Sequence, residues 1–110
     1  MGYKYSQEGD TTVVTVEESR LDASLAGGFK DFMMERIDDN NMNFVIDISA
    51  INFMDSSGLG SIVAVLKQVG SNGSVRLAGP KKAVNDLFDL TCMDRIFKIY
   101  TSVDEALSAQ

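Results

Sequence analysis

The sequence predicts an α/β domain: a mixed, mostly parallel sheet of four to five strands packed with about four helices. Two observations lead there. After an opening pair of strand-like segments, helical and strand-like stretches alternate to the end of the chain, the order that right-handed parallel crossovers require. The chain has 110 residues, 45% hydrophobic and 24% charged, which suits a single globular domain over residues 1–110.

Each element has a local reason. Thr11 to Glu17 is rich in β-branched residues and reads as a strand, paired with one near Tyr3–Gln7 across Glu8-Gly9-Asp10. Leu25, Phe29, Phe32, Met33 and Ile37 recur at helical spacing, with Asp22 or Ser24 as the cap. Gly27-Gly28 costs that helix roughly 1–2 kcal/mol relative to alanines, so packing has to hold it. Asp38-Asp39-Asn40-Asn41 then breaks the chain as a solvated loop, and Asn43 to Ile48 is apolar enough for a central strand. A second helix follows Asp55-Ser56-Ser57-Gly58, with Leu59, Ile62, Val63, Leu66 and Val69 on one face, Gly70 as its C-terminal cap and Ser71-Asn72-Gly73 as a turn. Ser74 to Ala78 is a strand. Pro80 suits the first turn of a third helix that starts with the solvated Lys81-Lys82 and turns Ala83, Val84, Leu87 and Phe88 inward. Ile96 to Tyr100 is the last strand, and Ser102 with Glu105 forms a capping box for a short terminal helix.

Composition excludes more function than it suggests. There is no histidine, so the commonest general base and metal ligand is missing. A single cysteine, Cys92, allows neither an intrachain disulfide nor a cysteine zinc site, and is expected as a small core or near-surface hydrophobe in a reducing, cytoplasmic compartment. No metal and no cofactor are expected. Ten basic against 16 acidic residues give a net charge of −6, which leaves nothing to replace the counterions of a nucleic acid. The longest apolar run, Ile62-Val63-Ala64-Val65-Leu66, is far short of the ~18 residues of a membrane span. Met1 to Ser6 lacks the apolar core of a secretory signal, and its Met1-Gly2…Ser6 match to a myristoylation pattern is expected to be chance.

The informative stretch is Asn52-Phe53-Met54-Asp55-Ser56-Ser57-Gly58-Leu59-Gly60, at a strand-to-helix turn where free N–H groups and the helix dipole favour a negative group. On its own, Asp55 or Ser56 could be simply the helix N-cap. A catalytic Ser56 or Ser57 lacks the histidine that would activate it. The consistent chemical role for an exposed serine here is to be acted upon, receiving a phosphoryl group from machinery on another protein.

Phe53-Met54-Asp55-Ser56-Ser57-Gly58-Leu59-Gly60, following the strand at Asn43–Ile48, closely resembles the signature of bacterial anti-sigma factor antagonists of the STAS-domain family. Arg20-Leu21-Asp22 resembles that family's Gly-x-Leu-Asp turn, with Ser19 where glycine is frequent, and Leu87-Phe88-Asp89-Leu90 fits its third helix. The resemblance implies a regulatory binding module and not an enzyme. It implies phosphorylation of Ser56 by a partner that is both anti-sigma factor and ATP-dependent serine kinase, reversal by a serine phosphatase, and release of a sigma factor by the unphosphorylated form. A STAS subunit or scaffold of a transport or stress-signalling assembly is the alternative, with Ser56 only a cap.

The helical wheel from Ser57 to Val69 sets Gly58, Ser61, Val65 and Gln68 opposite the apolar stripe. That face, with Met54, Asp55, Ser56, Ser57 and the Asp22 turn, is the expected docking surface of a protein that is monomeric when free. Met54 is the one methionine expected outside the gap-filling core.

Overall fold

In the computed structural model, which describes residues 2–38 and 41–109, β1 (Tyr3–Glu8) and β2 (Thr11–Val16) form an antiparallel hairpin. Gly9 turns it at φ 63°, a left-handed conformation that glycine adopts without steric cost. The chain continues through β3 (Arg20–Leu21), α1 (Ala23–Arg36), β4 (Asn43–Asp47), β5 (Phe53–Met54), α2 (Ser56–Val69), β6 (Ser74–Ala78), α3 (Lys82–Leu90), β7 (Lys98–Tyr100) and α4 (Val103–Ser108). Among the described residues the main sheet has the order β1-β2-β4-β6-β7, parallel except for β1, and β3 and β5 make a separate two-stranded parallel ribbon. The α/β class, the mixed sheet and the four helices are as the sequence predicts.

Alternation along the strands sorts the core onto two faces. Val14, Val16, Phe44, Ile46, Val75 and Leu77 point to one side, where they meet Phe29 and Met33 of α1, Ile62 and Val65 of α2, and Val84 and Phe88 of α3. Each such large side chain, fully withdrawn from water, contributes about 1.5–3 kcal/mol. Val13, Val45 and Ala78 point to the other side, under Ala106 of α4. Arg76, on that same side, donates from Nη1 to the carbonyls of Ala106 and Ala109, so a guanidinium closes the C-terminal end of α4. At the hairpin edge, Arg36 of α1 lies over the rings of Tyr5 and Phe32, 4.4 and 4.0 Å from their centroids.

Several local expectations need correction. Pro80 precedes the cap of α3, Lys81, instead of entering its first turn, and Ala83 is exposed because α3 packs on the narrow Val84–Phe88 stripe. β7 begins at Lys98: Ile96 closes a 3₁₀ turn, its N–H bonded to the Met93 carbonyl, and is half exposed. Cys92 is exposed and sits just beyond α3 at φ 60°, the position after a helix that glycine usually takes. Among the described residues it is the sole non-glycine with a left-handed φ, so Ser19 fills the family's glycine position without that strain. Gly2 is buried against Glu18, poorly placed to carry a fatty acyl chain. The chain break expected at 38–41 includes Asp39 and Asn40, outside the described residues; Asp38 and Asn41 are joined by an isolated bridge. The capping box of α4 forms with a shift: Ser102 Oγ accepts from Glu105 N at 3.1 Å, while Glu105 Oε1 accepts from Thr101 N at 2.8 Å and not from Ser102.

Candidate functional site

Two helix N-termini meet at one carboxylate. Asp55 caps α2, its Oδ1 accepting from Gly58 N at 2.9 Å, and its Oδ2 accepts from Ala23 N, the first residue of α1, at 3.2 Å. Asp22 caps α1: its Oδ1 accepts from Ser24 N at 3.0 Å and from Ser24 Oγ at 2.6 Å, while Oδ2 takes Arg20 Nε at 2.8 Å. The Ser24 hydroxyl and amide, aided by the Arg20 guanidinium, hold the Asp22 carboxyl below the ordinary carboxylate range.

The ribbon brings the two caps together. In parallel register Arg20 lies beside Phe53 and Leu21 beside Met54, so Asp22 and Asp55, the residues that follow, emerge side by side. Ser56, the first residue of α2, is exposed at this junction, as is Ser57. A shallow groove runs from Ser57 between the two helices, lined by Ala26, Gly27 and Lys30 of α1 and by Gly60, Ser61 and Ala64 of α2.

The docking surface expected from the helical wheel is not available as drawn. Asp22, Asp55, Ser56 and Ser57 reach the surface, and Gln68 is exposed, but Met54, Gly58, Ser61 and Val65 are buried. The reason is that α2 is covered on two flanks, by the sheet and by α1. Its small residues let the backbone approach: a methyl at Gly58 would overlap the Leu21 carbonyl. Ser61 satisfies its own hydroxyl, donating to the Gly58 carbonyl at 2.6 Å. Leu59, Val63 and Leu66 are only partly buried at the core's margin.

Phe53 and Arg20 are the exposed neighbours that the sequence reading overlooked. The sequence carries little signal for them, since two residues per strand are too few for an alternating pattern. In the structure Leu21 and Met54 face inward, Arg20 and Phe53 face out, and Phe53 is 55% exposed. Among the described residues no group of three or more His, Cys, Asp or Glu could hold a metal ion, and no helix is long and apolar enough to cross a membrane.

A five-stranded mixed sheet thus carries an exposed serine where two carboxylate-capped helix starts meet. The profile of the STAS domain matches residues 4–106, and the chain belongs to that family. A Thermotoga maritima protein provisionally named an anti-sigma factor antagonist is 31% identical over 100 residues, covering 89% of this chain and 88% of its own. A crystal structure under the same provisional description, from the same organism, aligns with TM-score 0.83 at 30% identity over 96% of this chain and 91% of that one. An anti-sigma factor antagonist from Mycobacterium paratuberculosis shares the fold at TM-score 0.87 and 24% identity, with 96% and 90% covered. These names describe regulatory antagonists and not enzymes.

Proposed function

We propose that the chain is a cytoplasmic anti-sigma factor antagonist, monomeric when free, switched by phosphorylation of Ser56. Unphosphorylated, it binds an anti-sigma factor that is also a serine kinase and so frees the sigma factor; a serine phosphatase restores this form. The observation that carries the reading is the exposed Ser56 hydroxyl at the Asp22–Asp55 junction of two helix N-termini. The names of the relatives support the antagonist role.

The chemistry asks little of this chain. Ser56 Oγ attacks the γ-phosphorus of ATP held with Mg²⁺ on the kinase; the new O–P bond forms, the bond to ADP breaks, and the hydroxyl proton passes to a base on the kinase. Phosphoserine adds about −1.5 to −2 charges beside two carboxylates. A partner surface shaped for a neutral hydroxyl then meets charge and bulk, and every ~1.4 kcal/mol lost lowers affinity tenfold. No refolding is needed, because Asp55 and Asp22 hold both helix starts through bonds that leave Ser56 free. Asp22, Asp55, Ser56 and Ser57 form the contact surface, with Phe53 as its exposed apolar member.

Incubation with the kinase and Mg-ATP followed by intact-mass measurement should show one added phosphate on the wild type and none on Ser56→Ala. Ser56→Ala should stay bound to the kinase, and Ser56→Asp should bind weakly. Stoichiometric phosphorylation of Ser56→Ala would overturn the assignment.

A further inference from the structure

We infer that Arg20 receives the phosphate of phosphorylated Ser56, leaving Asp22 to do so. The inference rests on the phosphoswitch reading and adds a second moving part to it.

Placement comes from the ribbon. Leu21 and Met54 are buried, so the alternation of β3 and β5 sends Arg20 and Phe53 to the solvent side, and the parallel register sets them next to each other. Asp22 and Asp55 continue the two strands, and Ser56 follows Asp55 directly. The Arg20 guanidinium already reaches to this junction, since its Nε lies 2.8 Å from Asp22 Oδ2.

The guanidinium is also free to move. Among the described residues its bond to Asp22 is made by Nε alone, and the side chain is 56% exposed. Asp22 does not depend on it for capping, because Oδ1 takes both the amide and the hydroxyl of Ser24. An exchange therefore leaves α1 capped. A phosphate dianion offers more charge than one carboxylate, and three oxygens in a geometry that suits the two-pronged donor of an arginine.

Arg20 is the donor closest to hand among the charged groups around the junction. Asp55 has both oxygens committed to amides. Lys30 lines the groove that starts at Ser57 between α1 and α2, and is the cation to compare with Arg20. From α3, which packs against β5, Lys82 is held by Asp86 at 2.8 Å, and Lys81 stands at the N-cap position without a side-chain capping bond. Phosphorylation would thus do two things to the surface a partner reads: it would add charge at Ser56 and uncover the outer oxygen of Asp22.

The test installs phosphoserine at position 56 by site-specific incorporation, so that no kinase is involved, and follows the phosphate by ³¹P NMR through its second ionisation. Free phosphoserine titrates near ~6. A guanidinium on the phosphate favours the dianion, so Arg20→Gln should raise the midpoint by ~0.5 unit or more relative to the unsubstituted phosphoprotein, while Lys30→Gln should leave it in place. The Arg20 Nε resonance should move with the same midpoint. Equal midpoints with and without Arg20, or a shift caused by Lys30→Gln and not by Arg20→Gln, would overturn the inference. Neither result touches the switch itself, which is tested separately by kinase incubation of the wild type and Ser56→Ala.

Discussion

Helices α2 and α3 each follow a parallel strand, and they begin in opposite ways. At α2, Asp55 supplies a carboxylate to the α2 amides and to the first amide of α1, and glycine lets the backbone close against Leu21. At α3, the cap is Lys81, whose side chain makes no capping bond, and Lys82 places a second positive charge in the first turn, where the dipole disfavours it. The two starts are held by different forces. α3 stays in place through Val84 and Phe88, buried on the sheet, so its end can be poorly capped. α2 needs its first turn fixed while its first residue stays exposed, and polar bonds plus close backbone packing do this without covering Ser56. Fine positional control is concentrated at the exposed start of α2, the surface proposed for the partner.

That contrast can be broken most severely at Gly58. Gly58→Ala would drive a methyl into the Leu21 carbonyl, a backbone group that cannot swing aside, and should lower stability by about 3 kcal/mol in urea unfolding, the upper part of the overpacking range. Gly60→Ala, two residues on, meets open space and should stabilise by about 0.5–1 kcal/mol through helix propensity. Equal behaviour of the two would refute close approach as the reason for Gly58.

Asp55→Ala comes next. It strips acceptors from two helices at once, and a loss of about 2 kcal/mol is expected, the high end for a single cap. Hydrogen exchange should accelerate at both Gly58 and Ala23; acceleration at Gly58 alone would mean that the shared carboxylate matters to α2 only.

The smallest effect belongs to α3. Lys81 has φ −68° and ψ 163°, already suited to a capping residue. Lys81→Asp should therefore stabilise by about 0.5–1 kcal/mol, read as a raised thermal midpoint. A lowered midpoint would show that Lys81 serves the α3 start in some other way.

The contrast between the helices also tracks what the sequence made legible. The helix starts were readable to within two residues, Asp22 or Ser24 and Asp55 or Ser56, because capping is local chemistry, and the structure selects Asp22 and Asp55. The parallel sheet was readable from the alternation of elements. The inward face of α2 was not, because periodicity registers large apolar side chains, whereas this helix is buried through Gly58 and Ser61 as well. A serine that bonds its own preceding turn looks on a helical wheel like one meant for water. The β3–β5 ribbon escaped for another reason: two residues per strand are too few for an alternating pattern. The ribbon pairs Arg20 with Phe53 on its solvent side and buries Met54. Cys92 shows the same limit, since nothing local in Thr91-Cys92-Met93 announces a left-handed residue.

Arg76 carries a consequence for the order in which the molecule assembles. α4 spans six residues, well below the ~12–15 at which an isolated helix becomes even marginally stable in water. Its final carbonyls are closed by a guanidinium anchored on β6, whose Nη2 also approaches Thr11 Oγ1 of β2 at 3.4 Å. Ala106 packs on Val13, Val45 and Ala78, from three separate strands. The surface that makes α4 helical exists only once β2, β4 and β6 lie side by side. Helix α4 is therefore expected to form late in folding, and protection of its amides should mark the moment at which the middle of the sheet has closed.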